Sequence, residues 1–270
     1  MTTDHTFEIG KDHHICEDYA LSGVLNDMAY TIVCDGCSAS DDVDFGARAL
    51  AFSAREQFTS FLSPVPETFL NFGIKCIGRA SEVFKTFPSI NSQSLDATLI
   101  VSMVKDNQLT CFMYGDGVVV HRSGNTTRVI HVEYLSGAPS YLSYHLDAGR
   151  MKNYNKEANL SKLVIDNIDG SFEPKSLTPF EPVIITAPVS AGDVIMISSD
   201  GINSYRTATE EPIDWKIVME EFVGYKNFTG EFVKRRMGAF KRKCLKEGIT
   251  HYDDISCATI FIWKPKNYYN

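Results

Sequence analysis

The sequence lacks any apolar run of the roughly 20 residues needed to cross a bilayer, which predicts a protein without a membrane span. Its first residues are polar and do not show the basic-then-apolar pattern of a secretion signal. Positive charge is also scarce, because 26 Lys and Arg face 34 Asp and Glu for a net charge of −8. An acidic balance disfavours nucleic acid as the main partner. We therefore expect a cytoplasmic protein that uses neither a membrane nor nucleic acid.

The cysteines lack the pattern of a disulfide framework and that of a zinc site. They number seven, an odd count, and several lie in apolar strand-like runs, which predicts reduced and buried thiols. Cys34 and Cys37 form a C-x-x-C motif, but no second pair with zinc spacing accompanies them. We interpret the two residues between them, Asp35 and Gly36, as the informative part of this motif.

The first half of the chain predicts strands, then helices, then more strands. A turn at Asn26-Asp27 joins two strands, and apolar residues at helical spacing predict helices from about 41 to 61, with N-caps in Asp41 to Asp44, and from about 67 to 87. Four short strands follow between 97 and 132 and are separated by hairpin signals. These strands form a meander of antiparallel neighbours and lack the alternation of a βαβ fold.

The second half predicts a return to strand over Ile184 to Ser198, two helices between Trp215 and Leu245, and a last strand that ends at Trp263. The segment of about 133–190 is variable and polar, and we interpret it as an insertion over the sheet that is partly loop. These elements predict an α+β fold, an α-β-β-α sandwich in which two antiparallel sheets are flanked by helices. No linker interrupts the pattern, so we predict a single domain over 1–270.

Three aspartate turns stand at the ends of apolar runs. Asp35-Gly36 closes one run, Asp200-Gly201 closes a second, and Asp253-Asp254 opens a third. Charge beside a buried strand is costly unless something neutralises it. Three carboxylates brought together by a sheet would form a site for hard cations, which indicates metal-assisted phosphate chemistry.

Two further acidic breaks, at Asp116 and at Glu17-Asp18, extend this pattern. A single Asp-Gly is most often an ordinary hairpin turn. The number of acidic breaks in one chain is what favours a site, although periodicity alone does not place them together.

Six short acidic motifs follow one another along the chain: Glu17-Asp18, Val33-Cys34-Asp35-Gly36, Asp96-Ala97-Thr98-Leu99, Gly115-Asp116-Gly117, Gly192-Asp193 with Ser199-Asp200-Gly201, and Asp253-Asp254-Ile255-Ser256. Their order resembles the metal-dependent type 2C serine/threonine protein phosphatases over about 11–262. The segments Gly137-Ala138-Pro139 and Tyr141-Leu142-Ser143-Tyr144 resemble the divergent bacterial branch of the family.

The resemblance implies a phosphomonoesterase that uses two Mn²⁺ or Mg²⁺ ions. It implies that the Asp35 carboxylate bridges both ions and that the Gly36 carbonyl binds one of them. Asp200 and Asp253 then match the ligands of the other ion. Oxygen ligands suit hard divalent cations better than zinc. Two such ions activate a water and neutralise the phosphoryl oxygens.

The resemblance also implies roles for the remaining acidic breaks. Glu17 and Asp18 match residues that hold the water around the ions. Asp116 matches a residue that, with Asp200, forms a weaker third metal site in bacterial members.

The match weakens where the family commonly carries an arginine that grips the substrate phosphate. His13 stands at that position, with His14 beside it. Either histidine could bind phosphate when protonated or donate a proton to the leaving group, and the alternative is that both are solvated loop residues. In some members a histidine at the position of Cys37 is the acid, and that role is vacant here. Our catalytic candidates are Asp35, Asp200, Asp253, His13 and His14.

Three functions stay open at this point. The first is a Mn²⁺- or Mg²⁺-dependent phosphatase that acts on phosphoserine or phosphothreonine in proteins, in signalling, opposite a serine/threonine kinase. The second is a pseudophosphatase that binds a phosphoprotein or a regulatory partner, which the changes at His13 and Cys37 motivate. The third keeps the chemistry but takes a small phosphorylated metabolite. The sequence carries no signal for an oligomeric state.

One predicted helix near the C-terminus concentrates positive charge. Lys234-Arg235-Arg236 and Lys241-Arg242-Lys243 lie on it. The basic residues could dock an acidic or phosphorylated partner, or form a solvated face opposite the buried residues of the same helix.

Overall fold

The computed structural model describes residues 1–58, 66–87, 91–134, 139–157, 161–166, 171–176 and 180–263. The helices are α1 (Val43–Gln57), α2 (Pro66–Phe84), α3 (Ala148–Glu157), α4 (Trp215–Val223) and α5 (Phe232–Glu247). The strands are β1 (Thr2–Glu8), β2 (Tyr19–Leu25), β3 (Met28–Cys34), β4 (Leu99–Lys105), β5 (Gln108–Tyr114), β6 (Gly117–Ser123), β7 (Thr126–Tyr134), β8 (Ser161–Asp166), β9 (Ser171–Ser176), β10 (Val183–Pro188), β11 (Val194–Ser198), β12 (Tyr205–Arg206), β13 (Thr250–His251) and β14 (Ile255–Phe261).

Two large antiparallel sheets form the centre of the fold. One sheet has seven strands in the order β1-β14-β11-β6-β7-β8-β9, and the other has five in the order β10-β5-β4-β3-β2. A short ribbon pairs β12 with β13. The predicted α+β sandwich is therefore confirmed.

Strand β3 shows why the sequences of the central strands are continuous apolar runs. Its residues alternate between two cores, because successive side chains of a strand point to opposite faces. Ala29 and Val33 pack between the sheets, whereas Ile32 and Cys34 pack under α1 and α2. Both faces of the strand are covered, so no position needs to be polar.

The outer face of the seven-stranded sheet is covered in the same way by α4 and α5. Phe222 and Phe240 from these helices pack in one core cluster with Met196 of β11. Among the described helices, none combines the length and apolar character that crossing a bilayer requires.

The predicted return to strand over Ile184 to Ser198 is confirmed, and the segment forms two strands in different sheets. β10 pairs with β5, whereas β11 pairs with β6 and β14. Gly192 lies between them with a φ of 102°, a conformation that residues with a Cβ rarely adopt. The chain uses this turn to cross from one sheet to the other.

The opening and the variable segment also hold more strands than expected. β1 was not predicted and forms an edge strand on β14. In the variable segment, β8 and β9 extend the seven-stranded sheet and α3 precedes them, so its described part is not mainly loop. Gly137-Ala138 lies outside the described residues.

The start of α1 differs from the predicted cap. Asp42 precedes the helix with a φ of 55°, and its side chain makes no capping hydrogen bond. A left-handed residue at this position turns the chain sharply into α1.

Candidate metal centre

The acidic turns lie at one edge of the two sheets because of how their strands pair. Asp200 follows β11 and Asp253 precedes β14, and in the antiparallel pairing Ser198 stands opposite Cys257. Ser198 also stands opposite Val118 at the start of β6, which follows Asp116. The end of β11 therefore lies between the other two turns.

The five-stranded sheet contributes two more carboxylates to this edge. Asp35 follows β3 and Asp18 precedes β2, and Tyr19 pairs with Cys34 in the register of those strands. The backbone of Asp35 is fixed by Thr98, whose Oγ1 accepts from the Asp35 N–H at 3.2 Å and whose N–H donates to the Asp35 carbonyl at 2.8 Å.

Glycines at two of the turns allow the loops to approach closely. A Cβ at Gly201 would lie 1.8 Å from the Asp254 carbonyl oxygen, and a Cβ at Gly36 would lie 3.0 Å from the Glu17 carbonyl oxygen. The first spacing is shorter than any contact that a side chain can make. Gly201 thus brings the Asp200 turn against the Asp253-Asp254 turn.

Asp35 lies where the negative charges converge. Burial raises its pKa well above the ordinary value, and the charges of Asp18, Asp200 and Asp116 raise it further. Two carboxylates that share a site resist ionising together, so this arrangement stores repulsion in the metal-free protein.

The pKa values of Asp18 and Asp116 are raised as well. Burial raises the pKa of Asp18 to about 7, although its Oδ2 accepts a hydrogen bond of 2.6 Å from the Ser199 hydroxyl. Its Oδ1 is buried with no hydrogen-bond partner among the described residues. Burial also raises the pKa of Asp116 to about 7, with the charge of Asp200 as the next contribution.

Asp253 and Glu133 complete what we call the acidic cluster. Burial and the charge of Asp200 raise the pKa of each of them. Sequence reasoning missed Glu133, although a charged residue between Val132 and Tyr134 in an apolar strand was a signal. The members of the acidic cluster are Asp18, Asp35, Asp116, Glu133, Asp200 and Asp253.

His13 lies beside the cluster, with both ring nitrogens facing carboxylates. Its Nε2 is 3.0 Å from Asp253 Oδ1, and its Nδ1 is 3.4 Å from Glu17 Oε2 and from Asp254 Oδ2. Asp254 is buried and also accepts from the N–H groups of Gly10, at 2.7 Å, and Glu17, at 2.5 Å. His13 and Asp254 thus fix the loop that carries Glu17, and His13 has no nitrogen left for a substrate.

Some predicted residues lie apart from the acidic cluster. His14 is exposed, and no contact among the described residues joins it to the cluster. Asp193, from the Gly192-Asp193 motif, lies at the far end of β11, where its Oδ2 is 2.9 Å from His121 Nε2. All seven cysteines are free thiols and five are buried, as predicted.

A cavity of about 300 Å³ opens beside Asp253. One of its lining residues is a positively charged side chain, Arg206, that the sequence did not indicate. The lining of the cavity also includes His13, Ser38 and Asp253. Arg206 is exposed, and among the described residues its guanidinium makes one hydrogen bond, of 3.5 Å from Nη1 to the Glu210 carbonyl. Sequence reasoning had no signal for it, because only the β12–β13 ribbon brings position 206 to this edge.

Asp96 fastens the variable segment to the loop that follows Asp35. Its carboxylate accepts from the Ser40 hydroxyl at 3.0 Å, from the Ser143 hydroxyl at 2.5 Å and from Arg150 Nη2 at 2.6 Å. Its backbone carbonyl accepts from the Cys37 N–H at 2.8 Å. We call this group the Asp96 clamp.

The donor set of the acidic cluster fits hard divalent cations. It presents only carboxylate oxygens, one of them the buried Oδ1 of Asp18 that has no partner among the described residues. Cations would relieve the repulsion that raises the pKa of Asp35, and oxygen donors suit Mg²⁺ or Mn²⁺. The carboxylate oxygens of the acidic cluster are therefore suitable ligands for Mg²⁺ or Mn²⁺.

Comparison with known proteins supports the same interpretation. The family model for protein phosphatase 2C matches residues 10–240, which is most of the chain. No curated protein matches the chain.

Three solved structures have the same fold at low sequence identity. The phosphatase domain of the cell fate determinant SpoIIE from Bacillus subtilis is 13% identical, with a TM-score of 0.54 over 100% of this chain and 95% of that one. The catalytic domain of the serine threonine protein phosphatase PstP, in complex with two manganese ions, is 12% identical, with a TM-score of 0.54 over 97% and 98%. RsbX in complex with magnesium is 13% identical, with a TM-score of 0.50 over 95% and 92%.

Proposed function

The chain belongs to the protein phosphatase 2C family, and from that premise we propose that it hydrolyses phosphoserine and phosphothreonine in proteins with the help of two Mn²⁺ or Mg²⁺ ions. The observation that carries the proposal is the acidic cluster, in which Asp18, Asp116 and Asp200 act on Asp35. Burying several negative charges together costs free energy, and bound cations would neutralise them.

In this proposal the ligands are those that the family resemblance implies. Asp35 and the Gly36 carbonyl would hold one ion, and Asp200 and Asp253 would hold the other. Asp116 and Asp200 offer a weaker third position. PstP was solved with two manganese ions and RsbX with magnesium, which supports these metals. When bound, such ions supply an activated water and neutralise charge on the phosphoryl group.

The chain's own residues position the substrate and the ligands. Thr98 holds the Asp35 backbone through two hydrogen bonds, and Ser199 orients Asp18. We assign the cavity beside Asp253 to the substrate phosphate, with Arg206 as its cation. Because His13 is engaged by Glu17 and Asp253, its role in this proposal is to orient those carboxylates.

Phosphate release from a phosphothreonine peptide tests the proposal. The purified chain should release phosphate with added Mn²⁺ and lose that activity in excess EDTA. Asp200→Asn should reduce the rate at least about a thousandfold while the far-UV circular dichroism is unchanged. Tight peptide binding without hydrolysis in Mn²⁺ or Mg²⁺ would overturn it in favour of a phosphoprotein-binding role. Hydrolysis confined to small phosphate esters would assign the chemistry to a metabolite.

A physiological role follows from the chemistry. An enzyme that removes phosphate from serine and threonine reverses the product of a serine/threonine kinase, so we propose such a kinase as its counterpart in a signalling pathway. Comparing phosphoproteins in cells with and without the Asp200→Asn enzyme would identify the substrates.

A further inference from the structure

A groove at the N-terminal half of α5 is lined by basic side chains. Its volume is about 480 Å³. Five cations line it, Lys226, Lys234, Arg235, Arg236 and Arg242, against the single carboxylate of Glu231. This local excess contrasts with the net charge of −8 of the whole chain.

The groove is a built feature in which two of the guanidinium groups are fixed. Arg235 Nη2 donates to Asn227 Oδ1 at 2.7 Å and to the Thr229 carbonyl at 2.6 Å. Arg236 donates to the carbonyl and to the carboxylate of Glu221. Pre-positioned side chains lose little conformational freedom when a ligand binds, which favours recognition over a merely solvated face.

Three of the cations have no acidic partner within the described part of the chain. Lys226, Arg235 and Arg242 are exposed and form no ion pair there, whereas Lys234 pairs with Glu231 at 3.2 Å and Arg236 pairs with Glu221. Three positive charges at the groove are therefore uncompensated. A negatively charged segment that enters the groove would form ion pairs with them.

The charges are spread along the helix rather than gathered around one point. Lys234 and Arg242 are eight residues apart, which corresponds to roughly 12 Å along a helix axis. This spread matches successive carboxylates of an extended chain better than one compact anion. The floor adds apolar contact, since the rings of Tyr225 and Phe232 lie 5.1 Å apart beneath the cations.

The groove is remote from the acidic cluster. Phe228, next to the groove, stacks on Phe261 with ring centroids 3.6 Å apart. Phe261 ends β14, whereas Asp253 precedes its start, so the length of a strand separates the two places, roughly 20 Å. A ligand in the groove could therefore belong to the same molecule whose phosphate occupies the cavity beside Asp253, or to another one.

We propose that this basic groove docks an acidic segment of a partner protein. Charge complementarity, the fixed guanidinium groups and the spread of charge along α5 favour this occupant. Docking at this groove does not depend on the proposed hydrolysis. If the partner is also a substrate, docking at a second place raises the effective concentration of its phosphorylated residue.

Fluorescence anisotropy tests the proposal directly. The probe is a fluorescein-labelled peptide that carries six consecutive glutamates, and the buffer contains EDTA so that no cation bridges the peptide to the acidic cluster. We expect saturable binding that weakens as salt is raised. The double reversal Lys226→Glu/Arg242→Glu should weaken binding about tenfold, which corresponds to about 1.4 kcal/mol for the two exposed charges together.

A matched control separates the groove from overall charge. Lys85→Glu/Lys105→Glu makes the same change in net charge on exposed residues at the other sheet and should leave binding within about twofold of the wild type. Equal weakening by both pairs, or no saturable binding, would overturn the proposal. Full displacement of the peptide by millimolar inorganic phosphate would also overturn it and would assign the groove to small anions. Both double variants should keep the wild-type rate on a small aryl phosphate.

Discussion

Arg206 is the exposed cation of the cavity beside Asp253, and a bound phosphate would bring it a partner stronger than the Glu210 carbonyl. We expect Arg206→Ala to raise KM for a phosphothreonine peptide about tenfold, since a charge-assisted hydrogen bond contributes on the order of 1.5 kcal/mol. The kcat should change far less. Steady-state kinetics in saturating Mn²⁺ measures both constants.

Arg206→Lys is the control for this prediction. It keeps the charge but loses the forked geometry, so its KM should fall between those of the wild type and the alanine variant. An unchanged KM in Arg206→Ala would remove Arg206 from the substrate site and leave the acidic cluster unaffected.

His131 makes the stability of the fold depend on pH. Burial lowers its pKa to about 4, and its Nδ1 is buried with no hydrogen-bond partner among the described residues. The unfolded chain, with an ordinary pKa near 6.5, binds more protons between pH 6.5 and 4, so this histidine removes stability as the pH falls through that window. The loss from pH 7.5 to pH 5 is about 2 kcal/mol for this residue.

Urea unfolding in EDTA at those two pH values checks this effect. His131→Gln should lose less stability than the wild type on acidification, by about the same 2 kcal/mol. Equal losses in the two proteins would contradict the buried neutral state. Glu133 Oε1 lies 3.2 Å from His131 Nε2, so the comparison cancels only the other members of the acidic cluster, whose raised pKa values act in the opposite direction.

The Asp96 clamp connects three elements that sequence patterns treat separately. It joins the loop after β3, the turn at Leu142–Leu146 and helix α3. The Asp96 carboxylate is 4% exposed and the Arg150 side chain 22%, so this ion pair is screened less than a surface pair. We expect Arg150→Met to lower the free energy of unfolding by about 2 kcal/mol.

Hydrogen exchange locates the effect of that change. In Arg150→Met the amides of the segment 141–157 should exchange faster, whereas those of the central strands should not. Arg79→Met is the matched control, because Arg79 pairs with Glu56 and Glu82 on the surface and its removal should cost much less than that of Arg150. Equal costs for the two variants would show that the clamp does not hold the segment.

The sequence predicted the aspartate turns of the site from local patterns. The other residues of the site are placed there by the pairing of strands that are distant in the sequence. Asp35, Asp200 and Asp253 could be found in the sequence because each interrupts an apolar run. Glu133 also interrupts an apolar strand, but only the pairing of distant strands shows that it lies at this edge, and Arg206 gave no local signal. The split of Ile184 to Ser198 into two strands was missed for a related reason, since a strand's sheet is decided by partners far away in the sequence.

The acidic cluster makes the whole fold less stable when no metal is bound. Burial and like charge raise the pKa of Asp35, Asp18 and Asp116. The folded state therefore disfavours the ionised carboxylates that would bind cations. In EDTA, Asp35→Asn should therefore raise Tm, by about 2 °C or more for each kcal/mol of repulsion removed. The same variant should lose the stabilisation that Mn²⁺ gives the wild type.

Differential scanning calorimetry with and without Mn²⁺ measures both halves of that prediction. Asp193→Asn is a useful comparison, because Asp193 is buried at the far end of β11 and hydrogen-bonds to His121. That variant should lower Tm and keep the response to Mn²⁺. A lower Tm for metal-free Asp35→Asn would show that repulsion does not dominate in the acidic cluster.

Titration of the metal-free protein with Mn²⁺ in a calorimeter tests the central claim most directly, because it counts the ions that the acidic cluster holds. Our account predicts two strongly bound ions per chain in the wild type, with any third ion weaker, and no strongly bound pair in Asp35→Asn. Wild-type protein that binds no Mn²⁺, or an Asp35→Asn variant that binds the same number with the same affinity, would contradict it.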